Sequence, residues 1–184
     1  MNTVIKSSDL TIGIDIGGTK ISAGVVDSSG NIIDSLRIST PAEGGKELIL
    51  AVINLIKELK EKHEIKGIGI SIAALISSDY GTIVGAPNIA NLSKLNFVNE
   101  IKAEFKLPVV VENDANSAMW AEFKFGNAKG LNPVMFFIIG TGVGGGLVID
   151  GKLFKGANGI GAEFGHMCVV PNGLLCGCGS KGCI

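Results

Sequence analysis

Two stretches of this chain follow the same plan, and that repetition constrains its fold more than any single residue does. The first, TIGIDIGGTKISAGVVDSSGNII, begins at Thr11; the second, VMFFIIGTGVGGGLVIDGKLF, begins at Val134. Each passes from an apolar strand through a glycine-rich turn into a second apolar strand, and then into a polar turn containing glycine. Short apolar runs bounded by glycine read as strands. A duplicated hairpin of this kind points to two related halves, each opening on its own hairpin.

What lies between them completes the first half. Residues 11–38 read as three strands in an antiparallel meander. Leu48, Val52, Leu55, Ile56 and Leu59 then recur at helical spacing over 45–62, with Lys57, Glu58, Lys60 and Glu61 on the other face. A buried strand follows at 65–73, then a helix near 96–106 with Val98, Ile101, Ala103 and Phe105 apolar, and a strand VVV after Pro108. This is a complete α/β unit of ordinary domain size. Residues 112–126 read as a further helix, with Asn113 or Asp114 at its N-cap and Gly126 closing it. The expected organisation is one whole domain, 1–113, and the opening of a second, 114–184.

Composition removes several function classes. With 184 residues, 46% of them hydrophobic, there is ample material for a core. Sixteen Lys and Arg face seventeen Asp and Glu, so no global field favours nucleic acid or an anionic membrane. The most apolar run, 134–149, is too short to span a bilayer as a helix and is broken by five glycines. The N-terminus lacks a secretory apolar segment. These features place the protein in the cytoplasm, where cysteines stay reduced and a cluster of them more often means metal or catalysis than disulfides.

The turns DIGGTK and IGTGVGGG are the phosphate candidates: Gly17, Gly18, Thr19 and Lys20 in one, Gly140, Thr141 and Gly142 in the other. Glycines let several backbone N–H groups converge, and Thr or Lys adds donors. Either turn alone reads equally as a tight hairpin, but a nucleotide held between two halves needs a loop from each. GTGVGG fits the dinucleotide-loop pattern only in spelling, because a strand rather than a helix follows. Asp15 precedes the first turn on an otherwise apolar strand, where a carboxylate needs a partner; magnesium beside a bound triphosphate is one. Asp114 is a candidate general base and, equally, a plain N-cap. His166, Cys176, Cys178 and Cys183 supply one imidazole and three thiolates within 18 residues, a closed tetrahedral set for a structural zinc ion. The alternatives are a disulfide or unrelated reduced thiols; Cys168 is left over.

Taken together, IGIDIGGTKISAGVVD, APNI, VENDANSA, IGTGVGGGLVIDGKL, GAEFGHM and CGCGSKGC resemble the ROK family of sugar kinases, repressors and related proteins. The resemblance runs from residue 11 onward. It implies an α/β chain of the actin-like ATPase, or ribonuclease H-like and hexokinase-like, fold, with the first domain complete and the second partial. It implies transfer of a phosphoryl group from ATP, with Mg2+, to a hexose hydroxyl, glucose being the first expectation, and a structural Zn2+. In that pattern Asp114 is the catalytic base, and Asn88, Asn113, Glu163 and His166 contact the sugar. His166 is implied to serve twice, one ring nitrogen to zinc and the other toward the sugar.

One departure stands out: where the family carries a Pro-Gly after the buried strand, this chain has Ala74 and Leu75, a change that narrows the sugar pocket or alters its preference. The resemblance further implies a homodimer and a sugar-contacting Glu just past Ile184, so the chain is expected to be C-terminally truncated. The other readings are the sugar-sensing domain of a regulator or an inactive fragment with a zinc loop. With ten residues before Thr11, DNA binding is not expected, and polyphosphate is a further donor to test.

Overall fold

The computed structural model describes residues 9–77, 83–86, 89–92, 97–140 and 142–184. The chain divides into two compact units, the first ending at Asp114 and the second running from Ala115 to Ile184. Among the described residues no helix is long and apolar enough to cross a membrane.

The first unit opens with β1 (Leu10–Ile16), β2 (Lys20–Val26) and β3 (Ile32–Ser39), an antiparallel meander. Helix α1 (Gly45–Lys62) carries the chain back to β4 (Ile65–Ile72), which lies parallel to β1. A small hairpin of β5 (Leu75–Ile76) and β6 (Ile83–Gly85) precedes α2 (Phe97–Phe105), and β7 (Val109–Asn113) adds to β4 in parallel. The five-stranded sheet has the order β3-β2-β1-β4-β7. Both parallel steps are bridged by helices, as parallel pairing demands.

One face of this sheet makes the core. Ile12, Ile14 and Ile16 of β1 alternate with exposed Gly13 and Asp15, the period-two pattern of a strand covered on one side. Against them pack Leu48, Val52, Leu55, Ile56 and Leu59 of α1, all buried, which is the stripe that sequence spacing predicts. In α2 the buried residues are Phe97, Val98 and Ile101; Ala103, expected on the apolar side, is exposed because it falls off the 98–101–105 spacing.

Helix α3 starts at Asp114, the last residue of the first unit, and carries the chain through the opening of the second to Phe125, directly after β7 and without an intervening loop. Strands β8 (Val134–Ile139), β9 (Val143–Ile149) and β10 (Lys152–Leu153) form an antiparallel sheet in the order β10-β9-β8. The segment after Gly142 is thus a strand, and the dinucleotide-loop reading is excluded by topology. Its small core holds Met119, Ala128 and Val148, with Phe123, Val134, Phe136 and Leu153 packed around them.

Candidate functional site

The carboxyl ends of β1, β4 and β7 bring the first unit's polar residues together. Register places Arg37, Ser22, Asp15, Ser71 and Glu112 in one row across all five strands. Paired residues in a sheet project to the same side, so a sheet otherwise lined with isoleucine and glycine carries a polar stripe at this level. The Ser71 hydroxyl donates to Asp15 Oδ1 at 3.2 Å, and Arg37 Nε donates to Ser22 Oγ at 3.3 Å. Asp15 is exposed, and its partner Ser71 gave no signal in the sequence, because a lone serine in an apolar strand looks like any other.

The first glycine turn is held from two sides. Gly17 N–H donates to the Lys20 carbonyl at 3.0 Å, closing the hairpin. Thr40 fastens the same turn from beyond β3: its backbone N–H reaches the Thr19 carbonyl at 3.0 Å and its hydroxyl the Gly17 carbonyl at 2.7 Å. Gly18, Thr19 and Lys20 are exposed. Thr40 is a positioning residue that sequence reasoning missed, since it lies 23 residues from the carbonyl it bonds.

Asn113 ends β7 and Asp114 begins α3, so the carboxylate stands at a helix N-terminus, where the backbone dipole favours negative charge. The Asn113 side-chain amide donates to Asp114 Oδ1 at 3.0 Å and to the Ala74 carbonyl at 3.3 Å. The buried Ala74 therefore acts through its backbone, orienting the asparagine that orients the aspartate.

In the second unit, Glu163 precedes a single 3-10 turn, Phe164–His166. Gly165 at its centre is buried, and a Cβ there would lie 1.9 Å from the Val143 carbonyl oxygen, so only glycine lets this turn sit on β9. The turn delivers His166 to the cysteine-rich end of the chain. There the Cys176 N–H bonds the Ser180 carbonyl and the Gly179 N–H bonds the Cys176 carbonyl, folding the CGCG segment into a tight knuckle. Gly179 and Gly182 take positive φ of 90° and 76° to close it.

The ligand atoms of His166, Cys176, Cys178 and Cys183 all lie within 4.8 Å of one another. Cys176 Sγ is 3.6 Å from His166 Nδ1, and Cys178 Sγ is 3.8 Å from Cys183 Sγ. Tetrahedral zinc, with Zn–S of about 2.3 Å and Zn–N of about 2.0 Å, sets two sulfurs about 3.8 Å apart and sulfur and nitrogen about 3.5 Å apart. The donor set and its spacing fit that ion, and all four cysteines are free thiols. The backbone N–H of Ser180, aided by Cys176, holds the Cys178 thiol down to about 6. Burial and the adjoining thiols push Cys183 up to about 11. The first proton leaves this cluster readily and the last reluctantly, so three thiolates side by side require a cation to share their charge.

The remaining sequence candidates divide simply. Gly140 N–H donates to the Gly142 carbonyl at 2.9 Å in the β8–β9 turn, and a Cβ on either glycine would meet nothing within 4 Å. Asn88 and Thr141 lie outside the described residues.

A meander-led mixed sheet with helix crossovers, followed by a second unit with its own antiparallel hairpin after α3, is the pattern of the actin-like ATPase fold. A glucokinase from Streptomyces griseus, solved in complex with glucose and AMPPNP, superposes on this chain with a TM-score of 0.84 at 44% identity, covering 95% of this chain and 55% of that one. The family model of the ROK family matches residues 11–184, and the chain belongs to that family. A glucokinase of Streptomyces coelicolor is 47% identical over 174 residues, 95% of this chain and 54% of its own length. An N-acetylmannosamine kinase of Yersinia pseudotuberculosis is 36% identical over 173 residues, 94% of this chain and 59% of its own. The chain thus spans a little over half the length of the curated relatives it matches.

Proposed function

We propose that this chain carries the sugar-phosphorylating centre of an ATP-dependent hexose kinase, with glucose as the first substrate. The observation that supports this most is the Asn113–Asp114 pair, a carboxylate fixed by the preceding amide at the start of α3 in a chain 47% identical to a glucokinase. Asp114 accepts the proton of the attacking sugar hydroxyl as phosphorus–oxygen bonding develops, and Asn113 holds the carboxylate and the sugar. Asn88, Glu163 and His166 contact the remaining sugar hydroxyls.

Gly17, Gly18, Thr19 and Lys20, with Gly140, Thr141 and Gly142, supply donors to the phosphates of ATP, and Asp15, oriented by Ser71, holds Mg2+. That ion, when bound, neutralises charge on the transferring phosphoryl group. His166, Cys176, Cys178 and Cys183 hold a structural Zn2+ that fixes the loop bearing Glu163. With Nδ1 toward the thiols, His166 keeps Nε2 for the sugar.

A coupled ATP assay with glucose, mannose, N-acetylglucosamine and N-acetylmannosamine, run on this chain and on one of the relatives' length, tests the reading. Turnover with one of these hexoses is expected. Sugar binding without turnover, with any donor including polyphosphate, would put the sugar-sensing reading in its place.

A further inference from the structure

Four of the five ligand-type residues at the end of the chain form the cluster above, and the fold sets the fifth, Cys168, directly against one of them. Cys168 and Cys183 face each other across an isolated antiparallel bridge. The bond from Val169 N–H to the Gly182 carbonyl, 2.8 Å, runs between their neighbours, which makes theirs a non-hydrogen-bonded pair. Cα atoms in such pairs stand about 4.5 Å apart with side chains to the same side, inside the range of about 4.4–6.8 Å that a disulfide spans. Cys168 Sγ lies 3.4 Å from where a Cβ on Gly182 would be, so the glycine leaves this sulfur room beside Cys183. Cys183 Sγ, for its part, sits 3.8 Å from Cys178 Sγ and 3.6 Å from the His166 carbonyl oxygen. A side-chain rotation exchanges the first set of neighbours for Cys168, and the sulfur cannot serve both.

We propose that Cys168 is a site of oxidative modification, at which a hydroperoxide joins it to Cys183 and so removes one ligand from the metal set. The proposal rests on the zinc reading above. Cys168 is exposed and outside the set, so it reacts first. Its thiolate attacks a peroxide oxygen, the O–O bond breaks, and a sulfenic acid forms. The Cys183 thiolate then attacks that sulfur; the S–S bond forms, the S–O bond breaks and hydroxide leaves. One thiol, one thiolate and hydrogen peroxide become one disulfide, one water and one hydroxide, two electrons passing from the sulfurs to the peroxide. His166, Cys176 and Cys178 remain, three donors with an open fourth position, which hold zinc less firmly than a closed set. A dithiol reductant reverses the step by exchange.

The test uses the zinc-loaded chain treated with a small excess of hydrogen peroxide, reading zinc release with a chromogenic chelator and cross-links by peptide mass mapping without reduction. The parent is expected to release zinc faster than Cys168→Ser and Cys168→Ala by about tenfold or more, with Cys168 joined to Cys183, and to recover its metal after dithiothreitol and added zinc. Equal release from parent and variants, or a cross-link confined to Cys176, Cys178 and Cys183, overturns the proposal. A reduced protein that takes up no zinc sinks the metal reading itself, a result distinct from either.

Discussion

In the proposed reaction Asp114 bears the heaviest demand placed on one side chain, because a base there must be charged, oriented and exposed at once. Asp114→Asn keeps the shape and a partner for Asn113 but cannot take a proton. In steady-state kinetics it is expected to lower kcat by roughly 10²–10⁴-fold and to leave the circular dichroism spectrum unchanged. Ser71→Ala removes the hydroxyl 3.2 Å from Asp15. If Asp15 holds Mg2+ as proposed, a loss of about 1 kcal/mol there reads as roughly fivefold more magnesium for half-maximal rate, with kcat at saturating magnesium little altered. Of this pair, Asp114 was legible in the sequence and Ser71 was not. An acid before a helical pattern draws notice, whereas the serine gains meaning only when β4 is laid beside β1. A third residue-scale effect lies away from the site, where Asp34 Oδ2 meets His63 Nε2 at 3.0 Å. The hydrogen bond from His63 lowers the Asp34 pKa below its usual value. A depressed folded-state pKa means that the unfolded chain binds the proton first as pH falls. The stabilisation is therefore present above the ordinary carboxylate range and lost through the folded pKa. Asp34→Asn should lower the thermal midpoint at pH 7, and the gap to the parent should close as acid titration passes below the normal carboxylate range.

Among the elements, α1 was readable residue by residue, because a half-buried amphipathic helix writes its exposure into its spacing. Strand β9 was readable in existence but not in its start: the glycine turn was drawn as IGTGVGGG with a strand after it, yet only Gly140 and Gly142 lie in the turn, while Gly144, Gly145 and Gly146 belong to the strand. Their purpose is close approach: a Cβ on Gly146 would stand 2.5 Å from Met119 Cβ of α3, and one on Gly145 2.5 Å from the Phe164 ring. Glycine density carries no label for turn or contact, and only the packed neighbours decide. The same logic fixes the Glu163–His166 turn against β9. Gly165→Ala, with its Cβ 1.9 Å from a backbone oxygen, is expected to destabilise by at least about 1–3 kcal/mol in urea titrations. Gly140→Ala, with nothing within 4 Å, should stay within about 0.5 kcal/mol of the parent, so the pair separates packing from turn.

At the scale of the whole chain, the two units differ in what holds them. The first buries the inner face of a five-stranded sheet against α1 and α2, a core sufficient by itself. The second, among its described residues, buries Met119, Ala128 and Val148, while Met135, Phe137, Ile138 and Ile139 of β8 remain exposed. A core that small supplies little stability, and small units commonly rely on a metal instead. A zinc ion held as proposed by His166, Cys176, Cys178 and Cys183 would tie the 3-10 turn to the final knuckle, and its binding energy would become folding energy of the second unit. The expectation is two thermal transitions rather than one, since units with separate cores need not melt together. Calorimetry with and without a strong chelator checks this. The lower transition should fall when zinc is removed and return when it is restored, while the upper one stays in place. Hydrogen exchange should assign the movement, with amides of residues 160–184 losing protection and those of β1, β4 and β7 keeping theirs. A single transition that shifts as a whole would mean that the metal supports the entire chain, and equal curves with and without chelator would mean that it supports none of it.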